Sequence, residues 1–120
     1  MKLFLFIAII TLNGSTSFSN YQAIPAVYST PQEGQHTEAE AILKKLDCAT
    51  CHKIEKKVVG PSYLDIAKKY PNNEKNMNYL SDKIIKGGSG VWGAIPMAPH
   101  ASLKKDDAKK IAKYILSLNK

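Results

Sequence analysis

Arginine is absent from this basic sequence. All 17 basic residues are lysines, set against 10 acidic residues, and the formal net charge is +7 at pH 7. Arginine is the residue best suited to bidentate contacts with phosphates and with the edges of bases, so its absence argues against a nucleic-acid site. We expect the lysines either to form a solvated surface or to steer an acidic protein partner towards the molecule.

Long apolar runs are also lacking, except near the start of the chain. There, Lys2 is followed by an apolar run over residues 3–12 and by small residues at 17–19. A run of about ten residues is too short for a membrane-spanning helix, which needs about twenty. This order of features is typical of a secretory signal peptide. We predict a signal peptide at residues 1–19 and export without stable membrane insertion after its removal; an uncleaved anchor is the alternative.

The rest of the chain is short enough to form one domain. Residues 20–36 contain prolines, a glycine and polar residues without a helical or strand period, and they are expected to be a flexible leader. The folded domain is predicted over residues 37–120. Its first helix is expected to begin at a capping box at Thr37. The second is expected from a capping box of Ser62 with Asp65 to Tyr70, and the third from a cap at Asn76 to the glycines at 87–88. The last is expected from about residue 102 to Leu118, with a buried stripe formed by Ala108, Ile111, Ala112, Ile115 and Leu118.

Cysteine is scarce as well: the chain has two, both within Cys48-Ala49-Thr50-Cys51-His52. The pattern C-x-x-C-H is the attachment signature of c-type haem. Its two thiols form thioether bonds with the porphyrin, and its imidazole then binds the iron. A thioredoxin-like redox pair needs a strand–helix–strand pattern and a zinc site needs four ligands, and the sequence has neither. A plain disulfide is possible but would leave the histidine unexplained.

A second iron ligand is predicted in the long glycine- and proline-rich loop after the third predicted helix. Met97 lies there between two prolines, and a thioether is a good partner for haem iron. Met77 falls in the first turn of a predicted helix, where it is better explained as core. Trp92, the single tryptophan, is expected to form a wall of the haem pocket and to donate its indole N–H to a haem propionate, although a core position is the alternative.

Several segments together carry a resemblance to a known family. Besides the C-x-x-C-H motif, they are Val58-Val59-Gly60-Pro61, Gly87-Gly88-Ser89-Gly90-Val91-Trp92-Gly93, Ile95-Pro96-Met97 and Ala112-Lys113-Tyr114-Ile115-Leu116-Ser117. In this order and spacing the sequence resembles the short bacterial class I cytochromes c, the monohaem carriers of the c-551 and c-552 type. The similarity covers residues 37–120.

The resemblance implies an all-α fold, with about four helices wrapped around one covalently bound haem and the first and last helices crossing. It implies His52 and Met97 as the axial iron ligands, with Cys48 and Cys51 bonded to the haem. The carbonyl of Pro61 would then accept a hydrogen bond from the proximal imidazole, Trp92 would lie beside a propionate, and Ile95 would belong to the haem pocket.

Two residues after the expected methionine ligand depart from the family pattern. Ala98 and His100 stand where the family often has proline and asparagine, and that asparagine helps to position the methionine. Ala98 is expected to loosen the loop, and His100 is a candidate to replace Met97 on the iron at raised pH.

The sequence is therefore interpreted as a periplasmic, monomeric electron carrier with one haem c and no enzymatic activity. Its partners are expected to be redox proteins with acidic docking surfaces that make small, transient contacts. One alternative is a haem protein with an open iron site, peroxidase-like or gas-binding, in which Met97 is not on the iron. Another is a thiol–disulfide exchange protein. Without haem, a domain of this size is expected to be largely unfolded.

Overall fold

The computed structural model describes residues 31–119, and the regular secondary structure in that range is helical apart from two isolated backbone bridges. Five helices follow one another: α1 (Pro31–Lys45), α2 (Cys48–Cys51), α3 (Tyr63–Lys69), α4 (Glu74–Lys86) and α5 (Lys105–Ser117). The predicted all-α class is confirmed, and α2 is a single turn that the sequence did not reveal as a separate helix. The predicted signal peptide and residues 20–30 of the expected leader lie outside the described residues.

The start of α1 differs from the prediction. The helix begins at Pro31 rather than at Thr37, so residues 31–36 of the expected leader are helical. Proline is well tolerated at a first helical position, because its missing N–H would have no partner there. The hydroxyl of Thr37 does not cap the helix; it donates to the backbone carbonyl of Gly34 at 2.8 Å. Contact with α5 extends along this added turn, where the rings of His36 and Tyr114 meet edge to face at 5.5 Å.

The caps of α3 and α4 show one confirmed prediction and one error. Ser62 and Asp65 form the predicted capping box, in which each side chain accepts from the other residue's backbone N–H. The cap of α4, however, is Asn73 and not Asn76. The side chain of Asn73 accepts from the backbone N–H of Asn76 at 2.9 Å, while the side chain of Asn76 donates to the carbonyl of Pro71 at 2.7 Å.

Helix α5 is the element against which α1, α3 and α4 pack. It begins at Lys105, slightly later than predicted. Of the predicted stripe, Ala108, Ile111, Ala112 and Ile115 are buried. Leu118 is only partly buried at the end of the helix. Fully burying an isoleucine contributes roughly 1.5–3 kcal/mol, so Ile111 and Ile115 each stabilise the packing of α5 on its neighbours.

Ion pairs join the outer face of α5 to its neighbours. Lys105 pairs with Asp82 and Lys109 with Glu74, both on α4, whereas Lys110 reaches Glu38 of α1 at 2.6 Å. Exposed pairs of this kind contribute only about 0–1 kcal/mol each. They therefore supplement the apolar packing of α5 rather than replace it. None of the helices in the described part of the chain has the length and apolar character needed to cross a membrane.

Candidate haem site

All the residues that the sequence predicted for the site line one cavity. Its volume is about 520 Å³, within the range of about 300–1,000 Å³ usual for binding sites of small molecules and cofactors. Residues from all five helices and from the loops after α2 and α4 contribute to its lining. The predicted site residues found there are Cys48, Cys51, His52, Pro61, Trp92, Ile95 and Met97.

Helix α2 presents the two cysteines together. Cys48 and Cys51 are three residues apart in one helical turn, so their side chains project from the same side of the backbone. The turn is closed by a hydrogen bond from the backbone N–H of His52 to the carbonyl of Cys48, at 2.9 Å. Both thiols are free and half-buried, and burial raises the pKa of Cys48. The short helix thus brings two thiols and a following imidazole into one cavity.

The ring of His52 is held in one orientation. Its Nδ1 lies 2.7 Å from the carbonyl oxygen of Pro61. A carbonyl only accepts, so Nδ1 carries the hydrogen and Nε2 keeps a free lone pair. The ring also stacks on Tyr63, with 5.7 Å between centroids and 16° between planes. These contacts leave Nε2 as the nitrogen able to bind a metal.

Gly60 is a site residue that the sequence analysis did not single out. A Cβ built at Gly60 would lie 2.4 Å from Cε1 of His52. Only glycine allows the backbone to approach the imidazole this closely and to place the Pro61 carbonyl beside Nδ1. In the sequence, the dipeptide Gly60-Pro61 indicates only a turn or loop. That signal is too general to connect Gly60 with a histidine eight residues earlier.

Met97 is fixed through its backbone. Its N–H donates to the carbonyl of Gly88 at 2.9 Å, and its carbonyl accepts from the N–H of Gly88 at 3.1 Å. Gly87 has φ of +67°, and a Cβ there would lie 2.4 Å from the carbonyl oxygen of Met97. The side chain is half-buried and packs against the core. Met97 lines the cavity, whereas Met77 is not among the residues that do.

Apolar side chains that line the cavity remain uncovered. Trp92 is 39% exposed and Ile95 67% exposed, and Val58, Val59 and Val91 are also exposed at this cavity. The ammonium group of Lys69 lies 5.3 Å from the centroid of the Trp92 ring. A concentration of exposed apolar residues in one concave site indicates a ligand that covers them.

The donor set and the lining together fit a haem. Two thiols on one helical turn match covalent attachment to the porphyrin, and an imidazole Nε2 and a thioether match the two axial positions of its iron. The exposed apolar lining matches a porphyrin ring. Thiols, imidazole and thioether from these residues would hold the group, and the hydrogen bond to Pro61 would orient the imidazole.

Comparisons with known proteins lead to the same class. The family model described as "Cytochrome c" matches residues 36–119. The chain is 39% identical to cytochrome c-552 of Hydrogenobacter thermophilus over 118 residues, which is 98% of this chain and 99% of that protein. It is 48% identical to cytochrome c-552 of Nitrosomonas europaea over 84 residues, covering 69% of this chain and 82% of that protein.

A solved structure agrees in fold. The crystal structure of wild-type Nitrosomonas europaea cytochrome c552 superposes with a TM-score of 0.62 and 46% identity, over 67% of this chain and 99% of that one. The protein is a small haem-binding class I cytochrome by its fold and by its site. It belongs to the cytochrome c family, carries covalently attached haem c, and is a monohaem electron carrier.

Proposed function

We propose that this electron carrier binds its haem iron through His52 and Met97, with Cys48 and Cys51 bonded to the porphyrin. The observation that carries the proposal is the single cavity in which both cysteines, an imidazole with a free Nε2 and one thioether meet. When bound, the haem supplies a one-electron iron couple, and His/Met ligation raises its reduction potential.

Several residues of the chain have defined tasks around that group. The Pro61 carbonyl holds the His52 imidazole in one tautomer and increases the basicity of its Nε2. Trp92 and Ile95 line the cavity. They would cover the porphyrin with apolar surface, and the indole N–H of Trp92 would donate to a propionate. If His52 and Met97 both hold the iron, no position would be open for a substrate, and we propose electron transfer rather than catalysis for this ligand set.

The charge distribution favours acidic redox partners. Three of the lysines on α5 are engaged in ion pairs with carboxylates of α1 and α4. Lys57 and Lys83 line the cavity, and Lys69 lies over Trp92. Over residues 31–119, none of these last three forms an ion pair. We propose that an acidic partner docks at this side of the molecule through a small, transient contact.

Export to the periplasm is part of the same proposal. It is supported by the basic, then apolar, then small-residue order at the start of the sequence. N-terminal sequencing of the protein purified from its host tests it. A mature protein that starts near residue 20 is expected, and a protein retaining Met1 would contradict cleavage.

The ligand set is tested by optical spectroscopy of the holoprotein. A low-spin spectrum is expected in both oxidation states, with the near-infrared charge-transfer band of sulfur-bound ferric haem and no rapid binding of carbon monoxide to the ferrous protein. A high-spin spectrum with rapid carbon monoxide binding would instead support an open iron site, peroxidase-like or gas-binding.

A further inference from the structure

One side-chain hydrogen bond connects two distant parts of the haem site. Nε2 of His100 lies 2.8 Å from Oδ1 of Asp47, although the two residues are 53 positions apart in the sequence. The His100 side chain is only 15% exposed, whereas that of Asp47 is 77% exposed. The bond therefore joins a largely buried ring to a carboxylate at the surface.

The two ends of this bond lie next to the groups proposed to hold the haem. Asp47 is the N-cap position of α2 and directly precedes Cys48. His100 follows Met97 by three residues, and its backbone N–H donates to the carbonyl of Ile84 at 3.1 Å. The bond thus ties the segment that carries the attachment motif to the loop that carries the methionine.

The chemistry of the pair makes the contact directional. A carboxylate accepts, so Nε2 of His100 donates. Within the described residues, the buried Nδ1 of His100 has no hydrogen-bond partner, so Asp47 is the single side-chain partner of the ring there. The hydrogen bond from His100 holds the pKa of Asp47 below its usual range. Loss of Asp47 would leave the ring without any partner for its polar atoms, which is unfavourable for a buried group.

Few other contacts restrain the stretch between the methionine and this histidine. On one side Met97 is paired with Gly88 through two backbone hydrogen bonds. After it come Ala98 and then Pro99, which has no N–H to donate. The next fixed point is His100. Its N–H donates to the carbonyl of Ile84, its carbonyl accepts from the N–H of Leu103 at 2.9 Å, and its ring is held by Asp47. If release of Met97 from the iron moves this stretch, the hydrogen bond between the His100 ring and Asp47 would add to the backbone bonds that resist the movement.

We infer that Asp47 and His100 form a latch that keeps the Met97 loop closed against the attachment segment. The inference rests on the proposed ligation by Met97, and it makes both residues positioning residues rather than ligands. It also assigns His100 a task opposite to the one expected from the sequence: the ring secures the methionine instead of competing with it. The net value of one hydrogen bond in a protein corresponds to about a fivefold change in an equilibrium constant.

The test measures how easily Met97 is displaced in the ferric holoprotein. Imidazole is titrated against the wild type, Asp47→Ala, His100→Ala and the double variant, and loss of the sulfur-to-iron band reports displacement. Each single variant is expected to bind imidazole about fivefold more tightly than the wild type. The double variant is expected to match either single variant, because both remove the same bond. His100→Gln, which keeps a donor, is expected to stay near the wild type.

A matched control separates the latch from general destabilisation. Lys110→Ala removes a comparable side-chain contact, to Glu38, between helices and away from the cavity, and its imidazole affinity is expected to be unchanged. Asp47 is exposed, so Asp47→Ala removes the hydrogen bond without a change in the core. This variant therefore tests the latch even if His100→Ala fails to fold. Unchanged affinity in Asp47→Ala, or additive effects in the double variant, would overturn the latch. A wild type without the sulfur-to-iron band would instead refute ligation by Met97.

Discussion

The two regions that hold the haem are built in different ways. On the attachment side, Cys48 and Cys51 lie in one helical turn and His52 directly follows it, and the imidazole is fixed by Pro61 only nine residues later. On the other side, Met97 lies in a long non-helical loop that is held by Gly88 and by contacts of His100 with Ile84 of α4 and with Asp47, the N-cap of α2.

The difference suggests that the methionine side is the easier one to open. Contacts between neighbours in sequence re-form readily after a local fluctuation, whereas a loop held by a few distant contacts opens at a lower free-energy cost. Both sides share one device, a glycine that leaves no space for a Cβ: Gly60 against His52 and Gly87 against Met97. The predictions below probe these two sides separately.

The largest effect is expected from removing both thiols. In Cys48→Ala/Cys51→Ala, covalent attachment is lost and the apolar lining of the cavity has nothing to cover it. A domain of this size is marginal without its cofactor, so the variant should lose most of its helical circular dichroism. Cys51→Ala alone, which retains one thiol for attachment, is the control. A native-like helical spectrum with a cooperative melt in the double variant would contradict this expectation.

The next largest effect is expected at the methionine. Met97→Ala should lower the reduction potential by an amount on the order of 0.1 V, since axial ligands set haem potentials over a range of about 0.8 V. Met77→Ala is the matched control, because Met77 does not line the cavity, and it should leave the potential unchanged. Redox titration of both holoproteins gives the comparison. Equal potentials in the two variants would argue against Met97 as a ligand.

Substitution of Gly87 and of Gly60 by alanine should lower the free energy of unfolding by different amounts. Gly87→Ala combines left-handed backbone strain with a contact to the backbone of Met97, and we expect it to lower the free energy of unfolding by about 2–5 kcal/mol. Gly60→Ala meets a side-chain ring instead, and about 1–3 kcal/mol is expected. Gly34→Ala, with open space around its Cβ, should not destabilise the fold. Denaturant unfolding of the three holoproteins ranks them, and a Gly60→Ala variant as stable as Gly34→Ala would contradict the close contact.

The smallest effect concerns the attachment of α4, which leads into the methionine loop. Hydrogen bonds from Lys109 and Lys105 hold the pKa of Glu74 and of Asp82 below their ordinary values. A carboxyl group with a lowered folded pKa stabilises the fold above its unfolded pKa, and that stabilisation is lost as the pH falls through the folded pKa. We therefore expect a small decrease in the melting temperature when the pH is lowered below about 4. In Glu74→Gln/Asp82→Asn this fall should be smaller, and an identical pH profile in the variant would count against these pairs.

The parts of the fold that depend on local sequence were predictable. The capping box at Ser62, the buried stripe of α5 and the end of α4 at Gly87 follow from spacing and from the properties of single residues. The predicted starts at Thr37 and Asn76 were wrong. In each case a residue earlier in the chain begins the helix, and for α1 packing on α5 extends it.

The residues that line the candidate site were predictable from the sequence, but the contacts that hold them in place were not. The attachment motif and the single methionine in a rigid loop identified the cavity's main residues. Contact of Gly60 with His52 and the bond between Asp47 and His100 depend on how distant segments meet in space. No spacing of residues in the sequence indicates either contact, so both could be found only from the structure.

The most direct test of the central claim is the proton NMR spectrum of the ferrous holoprotein with methyl-labelled methionine. A thioether bound to low-spin haem iron lies against the porphyrin, whose ring current shifts its methyl resonance far upfield. We predict one such shifted methyl resonance, retained in Met77→Ala and absent from Met97→Ala. Methionine methyl resonances that all lie at ordinary positions in the wild type would show that no thioether is bound to the iron.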